Sequence, residues 1–156
     1  MRTQLASERL QPLQQRAETR EEEATRRLLD QQRQLSEREL RLHELTRYLA
    51  EYEGMGSAGS ARMLMNQRAF IERLREAVAM QTRLVEQARA GCDAERGRWL
   101  LEHREVSTLD QLADCYRRRE RLVEERRDQK QMDEFAVRSF VAAQTANRLE
   151  SRHERH

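Results

Sequence analysis

Two long heptad patterns lie on either side of one glycine-rich break, Gly54-Met55-Gly56-Ser57-Ala58-Gly59-Ser60. Before it the seam runs Leu10, Ala17, Ala24, Leu28, Leu35, Leu42, Leu45, Leu49, Tyr52. After it come Ile71, Leu74, Val78, Val85, Ala88, Cys92, Trp99, Val106, Leu109, Tyr116, Val123. The alternating three-and-four spacing marks a and d positions, so each segment reads as a helix with a narrow apolar stripe. Another helix can bury such a stripe; a globular core cannot. The expected fold is all-α: a long antiparallel two-helix coiled-coil hairpin with an overhanging second helix.

Composition excludes the main alternatives. Charged residues make up 37% of the chain and aromatic residues 4%, and the mean hydropathy is -1.04. A layered core is out of reach, yet sustained heptads and a single proline distinguish the chain from a disordered one. No run of 18 apolar residues is present, so no membrane span is expected, and no apolar stretch follows the first charges as in a secretory signal. Cys92 and Cys115 share one predicted helix roughly 35 Å apart. That separation forbids a bridge, and a reducing cytoplasm is the simplest setting.

Pro12 fits only a first turn, so the first helix is expected over about 12–53. The loop spans 54–60, the second helix about 61–144, and 145–156 forms a flexible tail; residues 1–144 make one stalk. Ser60 and Asn66 are both acceptable caps for the second helix. Gly91 and Gly97 each cost about 1 kcal/mol relative to alanine and imply a bend at most. In an antiparallel pair a faces d, so facing residue numbers share a constant sum. Heptads allow sums seven apart, and a loop midpoint near Ala58 selects 116. That register sets Leu42 against Leu74, Ala24 against Cys92 and Ala17 against Trp99. It also sets Glu21 against Glu95, which are expected to splay into solvent beside Arg20 and Arg96. The first helix then ends opposite Val106, leaving Leu109 to Val141 as an overhang. Arg117, Arg118, Arg119, Arg121, Arg126, Arg127 and Lys130 are interleaved there with acids. Two readings stand: a solvated end, or an arginine-rich probe that docks into another protein.

Catalysis finds no support. The four histidines are scattered, no HExxH, CxxC or phosphate loop occurs, and no cofactor or metal is expected. His153-Glu154-Arg155-His156 reads as a polar tail. Nucleic-acid binding is suggested only by a pI of about 8.8. The net charge is +2 and acids interrupt every basic run, unlike a phosphate-tracking face. A generic parallel homodimer is the other rival; the loop glycines and complementary registers favour a monomeric hairpin.

An ordered set of local patterns resembles the FliJ family, the coiled-coil stalk of the bacterial flagellar export apparatus. The set begins with Leu10-Gln11-Pro12-Leu13 and Ala24-Thr25-Arg26-Arg27-Leu28, then Leu42-His43-Glu44-Leu45-Thr46-Arg47-Tyr48-Leu49-Ala50-Glu51-Tyr52. Beyond the loop come Asn66-Gln67-Arg68-Ala69-Phe70-Ile71-Glu72-Arg73-Leu74, Trp99 and Asp128-Gln129-Lys130-Gln131-Met132-Asp133-Glu134-Phe135-Ala136. The resemblance implies a stalk whose terminal end inserts into the ring of the export ATPase FliI, stimulating its assembly and activity. It also implies contact with the export gate FlhA, with FliH and export chaperones as further partners. The implied setting is cytoplasmic, reaching the inner-membrane export apparatus only through partners. Phe70, Leu74, Ala77 and Gln81 match the family's gate-contact positions; members often carry histidine where Gln81 stands. For the ATPase the candidates are Arg117, Arg118, Arg119, Arg126, Arg127 and Lys130, whose forks and ammonium suit carboxylates and carbonyl dipoles. The equivalent stalk of a virulence type III secretion injectisome shares the architecture; the C-terminal signature favours the flagellum.

Overall fold

In a computed structural model that describes residues 3–56 and 59–155, the chain is two helices, α1 (Ala6–Gly54) and α2 (Ala61–His153). They pack against one another as an all-α hairpin. Ser57 and Ala58, on which the expected loop midpoint fell, lie outside the described residues, as does His156 of the expected tail. Compact units are formed by Gln14–Ser107 and by Met1–Leu13 with Thr108–His156.

Pro12 does not start α1. The helix begins at Ala6, with Arg9 N–H donating to the Leu5 carbonyl (3.1 Å) and Leu5 N–H to the Glu8 carboxylate (3.3 Å). Glu8 thus reaches back to the cap residue as in half of a capping box. Proline inside a helix forfeits one backbone bond. Burial of Leu10 and capping of Ser7 by Glu120 offset that loss. At the other end, Gly54 closes α1 and Met55 N–H returns to the Tyr52 carbonyl. Ser60, not Asn66, caps α2: its hydroxyl accepts from Met63 N–H and its carbonyl from Leu64 N–H. Gly59 before it takes φ +143°, open to glycine but strained for other residues.

Within Gln14–Ser107 the buried seam residues are Ala17, Ala24, Val85, Ala88 and Cys92. The facing register is the neighbouring heptad solution, not the expected one. Glu53 pairs with Arg75 (2.9 Å) and Glu39 with Arg89 (3.4 Å), both e-to-e pairs whose numbers add to 128. Arg20 pairs with Glu105 (3.5 Å) on the g side. Together these place a opposite d at a sum of 123, so Leu42 lies opposite Gln81 rather than Leu74, and Ala24 opposite Trp99. The cause is an asymmetric turn. Chain beyond Gly54 folds back along the first turns of α2, where Gln67 Nε2 donates to the Met55 carbonyl (3.3 Å). The seam glutamates also differ from expectation. Glu21, Glu95 and Glu102 each keep one Oε2 buried without a hydrogen bond rather than splaying outward. Glu21 Oε2 lies 3.4 Å from His103 Nδ1, an ion pair when that imidazole is protonated, and His103 stacks on Trp99 (4.9 Å). Glu95 turns its other oxygen to Arg98 (3.2 Å).

α2 passes unbroken through Gly91, Gly97 and Ser107-Thr108, and runs to His153 instead of ending near residue 144. The segment after 144 contains good helix formers. Thr145 and Ser151 hydroxyls are satisfied by the Val141 and Asn147 carbonyls, and Arg152 and His153 complement the helix dipole.

Candidate partner-docking surfaces

Phe70, Leu74, Ala77 and Gln81 step by four, three and four, so α2 brings them to one side. They divide by depth. Leu74 and Gln81 are d residues; Gln81 Nε2 donates to the Arg38 carbonyl of α1 (3.0 Å), which ties it to the seam. Phe70 and Ala77 are g residues on the rim. Ala77 is half-buried, while Phe70 is 40% exposed with its ring edge-on to Tyr52 at 4.7 Å. Tyr52, Met55, Gly56, Gln67 and Phe70 line a hollow of about 360 Å³ beside this rim. Sequence reasoning did not find the hollow, because it depends on the fold-back of Met55 and Gly56. The surface therefore offers one aromatic edge and a small apolar recess rather than four exposed side chains.

The basic candidates separate into two groups. Arg117, Arg118 and Arg119 lie level with the first turn of α1. Arg117 pairs with Asp114 (3.2 Å) and Arg118 Nε donates to the Asp114 carbonyl (3.4 Å). Leu5, Asp114, Arg117, Arg118, Glu120, Arg121 and Glu124 enclose an open hollow of about 660 Å³. Arg119 borders a second hollow, with Thr3, Leu5, Glu120, Val123, Glu124 and Arg127. These arginines belong to a closed end of the helix pair, not to an overhang beginning at Leu109. The true overhang begins after Glu120: every described residue from Arg121 onward is exposed. Arg126, Arg127 and Lys130 lie there, and no ion pair or hydrogen bond holds them among the described residues.

Glu120 organises the closed end. Ser7 donates both its backbone N–H (3.1 Å) and its hydroxyl (2.7 Å) to the two carboxylate oxygens. A carboxylate at a helix N-terminus is favoured by the unsatisfied N–H groups and the dipole. The Ser7 hydroxyl and then the Ser7 amide hold the Glu120 carboxyl below its usual range; desolvation opposes them, and the nearby Arg117 charge adds a smaller lowering effect. In the sequence Glu120 looked like one more acid among arginines; only its heptad position, a residue of the seam, distinguished it.

Among the described residues no helix is long and apolar enough to cross a membrane, and no group of three or more histidine, cysteine or acidic side chains has metal-binding geometry. The free thiols are Cys92, buried, and Cys115, half-buried. No curated protein matches the chain. The family model for the flagellar FliJ protein matches residues 6–145, from the first residue of α1 into the exposed part of α2. A two-helix hairpin carrying that match over most of its length belongs to the flagellar FliJ protein family.

Proposed function

We propose that the chain is the stalk of the flagellar export apparatus, entering the ring of the export ATPase FliI with its terminal end and touching the export gate FlhA near its loop. Membership of the FliJ family supports a flagellar export role. The finer reading rests on one observation: α2 continues for about 33 residues, roughly 50 Å, past the end of its intramolecular pairing, carrying unpaired Arg126, Arg127 and Lys130. Guanidinium and ammonium groups held on a helix, without internal partners, suit the carbonyl and carboxylate rim of a ring. Arg117, Arg118 and Arg119 act beside them as a collar around the first turn of α1. At the loop, Phe70 and Ala77 are the gate-facing residues, while Leu74 and Gln81 position them from the seam. FliH and export chaperones are further partners of the same stalk, acting in the cytoplasm; catalysis belongs to the ATPase.

Co-purification with the cognate FliI, with hydrolysis measured in the presence and absence of this protein, tests the reading. Stimulation is expected with the native chain, and a loss with the Arg126→Glu, Arg127→Glu, Lys130→Glu triple variant at unchanged helicity. Full stimulation by the triple variant removes these residues from the contact. Phe70→Glu is expected to weaken FlhA binding without affecting ATPase stimulation.

A further inference from the structure

With facing numbers adding to 123, the seam of Gln14–Ser107 divides into two unlike stretches. Nearer the loop its layers are apolar or satisfied. Leu49 lies opposite Leu74, Leu45 opposite Val78 and Leu35 opposite Ala88, while Gln81, opposite Leu42, is bonded to the Arg38 carbonyl (3.0 Å). Farther from the loop, Leu28 faces Glu95 and Glu21 faces Glu102. Among the described residues, every buried side-chain oxygen or nitrogen without a hydrogen bond belongs to these three glutamates. Neighbouring cations are turned elsewhere: Arg20 to Glu105 (3.5 Å) and Arg96 to Asp93 (3.8 Å), while Arg98 reaches one oxygen of Glu95 (3.2 Å). His103 approaches Glu21 Oε2 (3.4 Å), but Glu102 Oε2 meets no partner. The adjoining layers give little burial to compensate. There α1 contributes the small Ala17 and Ala24, and α2 carries Gly91 and Gly97, which weaken a helix.

We propose that this stretch is a soft joint: α1 and α2 part and re-close at the Glu21–Glu102 layer while the leucine layers nearer the loop stay zipped. Two carboxylates facing across a seam repel, and each bears a desolvation cost that no partner offsets. Opening returns Glu21, Glu95 and Glu102 to water, so parting the helices here takes less free energy than parting an equal length of leucine seam. Local opening concentrates where apolar burial is least. Beyond the joint, burial resumes at Leu10 and Ala113, and Glu120 caps Ser7. The weak stretch is therefore internal, not the fraying of an end. Register survives the opening, because the leucine layers and the Glu53–Arg75 and Glu39–Arg89 pairs hold it. The joint gives the rod a fixed point at which to flex, and the inference does not rest on the export role.

Cys92 supplies a native probe. It is 3% exposed and opposite Gln31, at the loop-side edge of the joint; Val85, one heptad nearer the loop, is 4% exposed. Thiol labelling of Cys92 in the full Cys115→Ser chain is compared with labelling of Val85→Cys in a Cys92→Ala, Cys115→Ser chain. Cys92 is expected to react about tenfold faster, the factor that one unsatisfied buried group gives. Glu21→Leu combined with Glu102→Leu is expected to remove most of that difference, and Glu23→Gln, on the solvated face, to leave it. Hydrogen exchange of the native chain is a readout independent of the Val85 replacement. Amides of 17–28 and 95–106 are expected to exchange faster than those of 38–49 and 74–85, and faster than those around Leu10. Equal labelling of the two thiols overturns the inference, as does equal exchange in the two stretches. A difference that survives the double leucine variant overturns it too, since the carboxylates are then not its cause. Exchange that rises steadily from the loop toward the termini shows fraying from the ends and likewise overturns it.

Discussion

The register of the hairpin is decided by which residue Leu42 faces, and two cysteine pairs separate the solutions. In a Cys92→Ala, Cys115→Ser background, Leu42→Cys is combined with either Gln81→Cys or Leu74→Cys. The structure's e-to-e pairs, Glu53–Arg75 and Glu39–Arg89, put Leu42 opposite Gln81. Residue 74 is then displaced along α2 by seven residues, about 10 Å. A disulfide needs Cβ atoms about 3.5–4.5 Å apart, so an axial offset of that size forbids it without sliding the helices. Sliding by one heptad would break the Glu53–Arg75 and Glu39–Arg89 pairs and the Tyr52–Phe70 contact together. Replacing Gln81 removes its bond to the Arg38 carbonyl, a loss of about 1 kcal/mol that leaves the fold intact. Oxidation at low micromolar concentration, read on a non-reducing gel with intact mass, is expected to close the 42–81 pair within one chain and to leave 42–74 reduced. Faster closure of 42–74 would refute the asymmetric turn and every pairing drawn from it.

Three other perturbations follow from the geometry. Gly97 has open space where a Cβ would stand, so Gly97→Ala is expected to stabilise the helix by about 1 kcal/mol and raise Tm by about 2–4 °C; Gly59→Ala, at φ +143° with Met63 Sδ 2.7 Å from the added carbon, lowers it. Glu102→Leu removes a seam carboxylate whose Oε2 is buried without a partner, and a gain of about 1 kcal/mol in urea unfolding is expected; a loss would mean that the carboxylate has a partner in solution. Glu120 has a lowered carboxyl pKa in the folded chain, so its stabilisation of the first turn of α1 is complete above the unfolded value of about 4.3 and fades as pH falls through the folded one. Hydrogen exchange at the Ser7 amide is therefore expected to accelerate only below the usual carboxylate range, and Glu120→Gln to remove that dependence; acceleration beginning near neutrality would contradict the assignment.

The two helices were legible because heptad spacing survives every local irregularity. Leu28, Leu35, Leu42 and Leu49 announce α1, and Val78, Val85 and Cys92 announce α2, whatever happens at the ends. The ends themselves were set by tertiary contacts that spacing does not carry. Pro12 argued for a later start, but Leu10 is buried two residues before it and the Glu120 cap comes from more than a hundred residues away in sequence. The register was narrowed by the heptads to sums seven apart, and the choice between them then fell to loop geometry. A symmetric turn was the natural assumption; the Gln67-to-Met55 bond, which holds Met55 against α2, was invisible in composition. The basic candidates were expected on one overhang, whereas Arg117, Arg118 and Arg119 lie level with the first turn of α1, since the overhang starts after Glu120 and not at Leu109.

The same arithmetic that locates α1 against α2 also shows where self-pairing ends. Val123 is the last apolar residue of the seam before the charged run, and Met132 is the first exposed apolar residue after it. Between them, Glu124 to Gln131 offers charge or amide on every side of the helix. Such a stretch gives α1 nothing to bury, so extending α1 would add no core there. Beyond it the exposed apolar residues, Met132, Phe135, Val137, Phe140, Val141 and Leu149, are distributed around the helix rather than along one stripe.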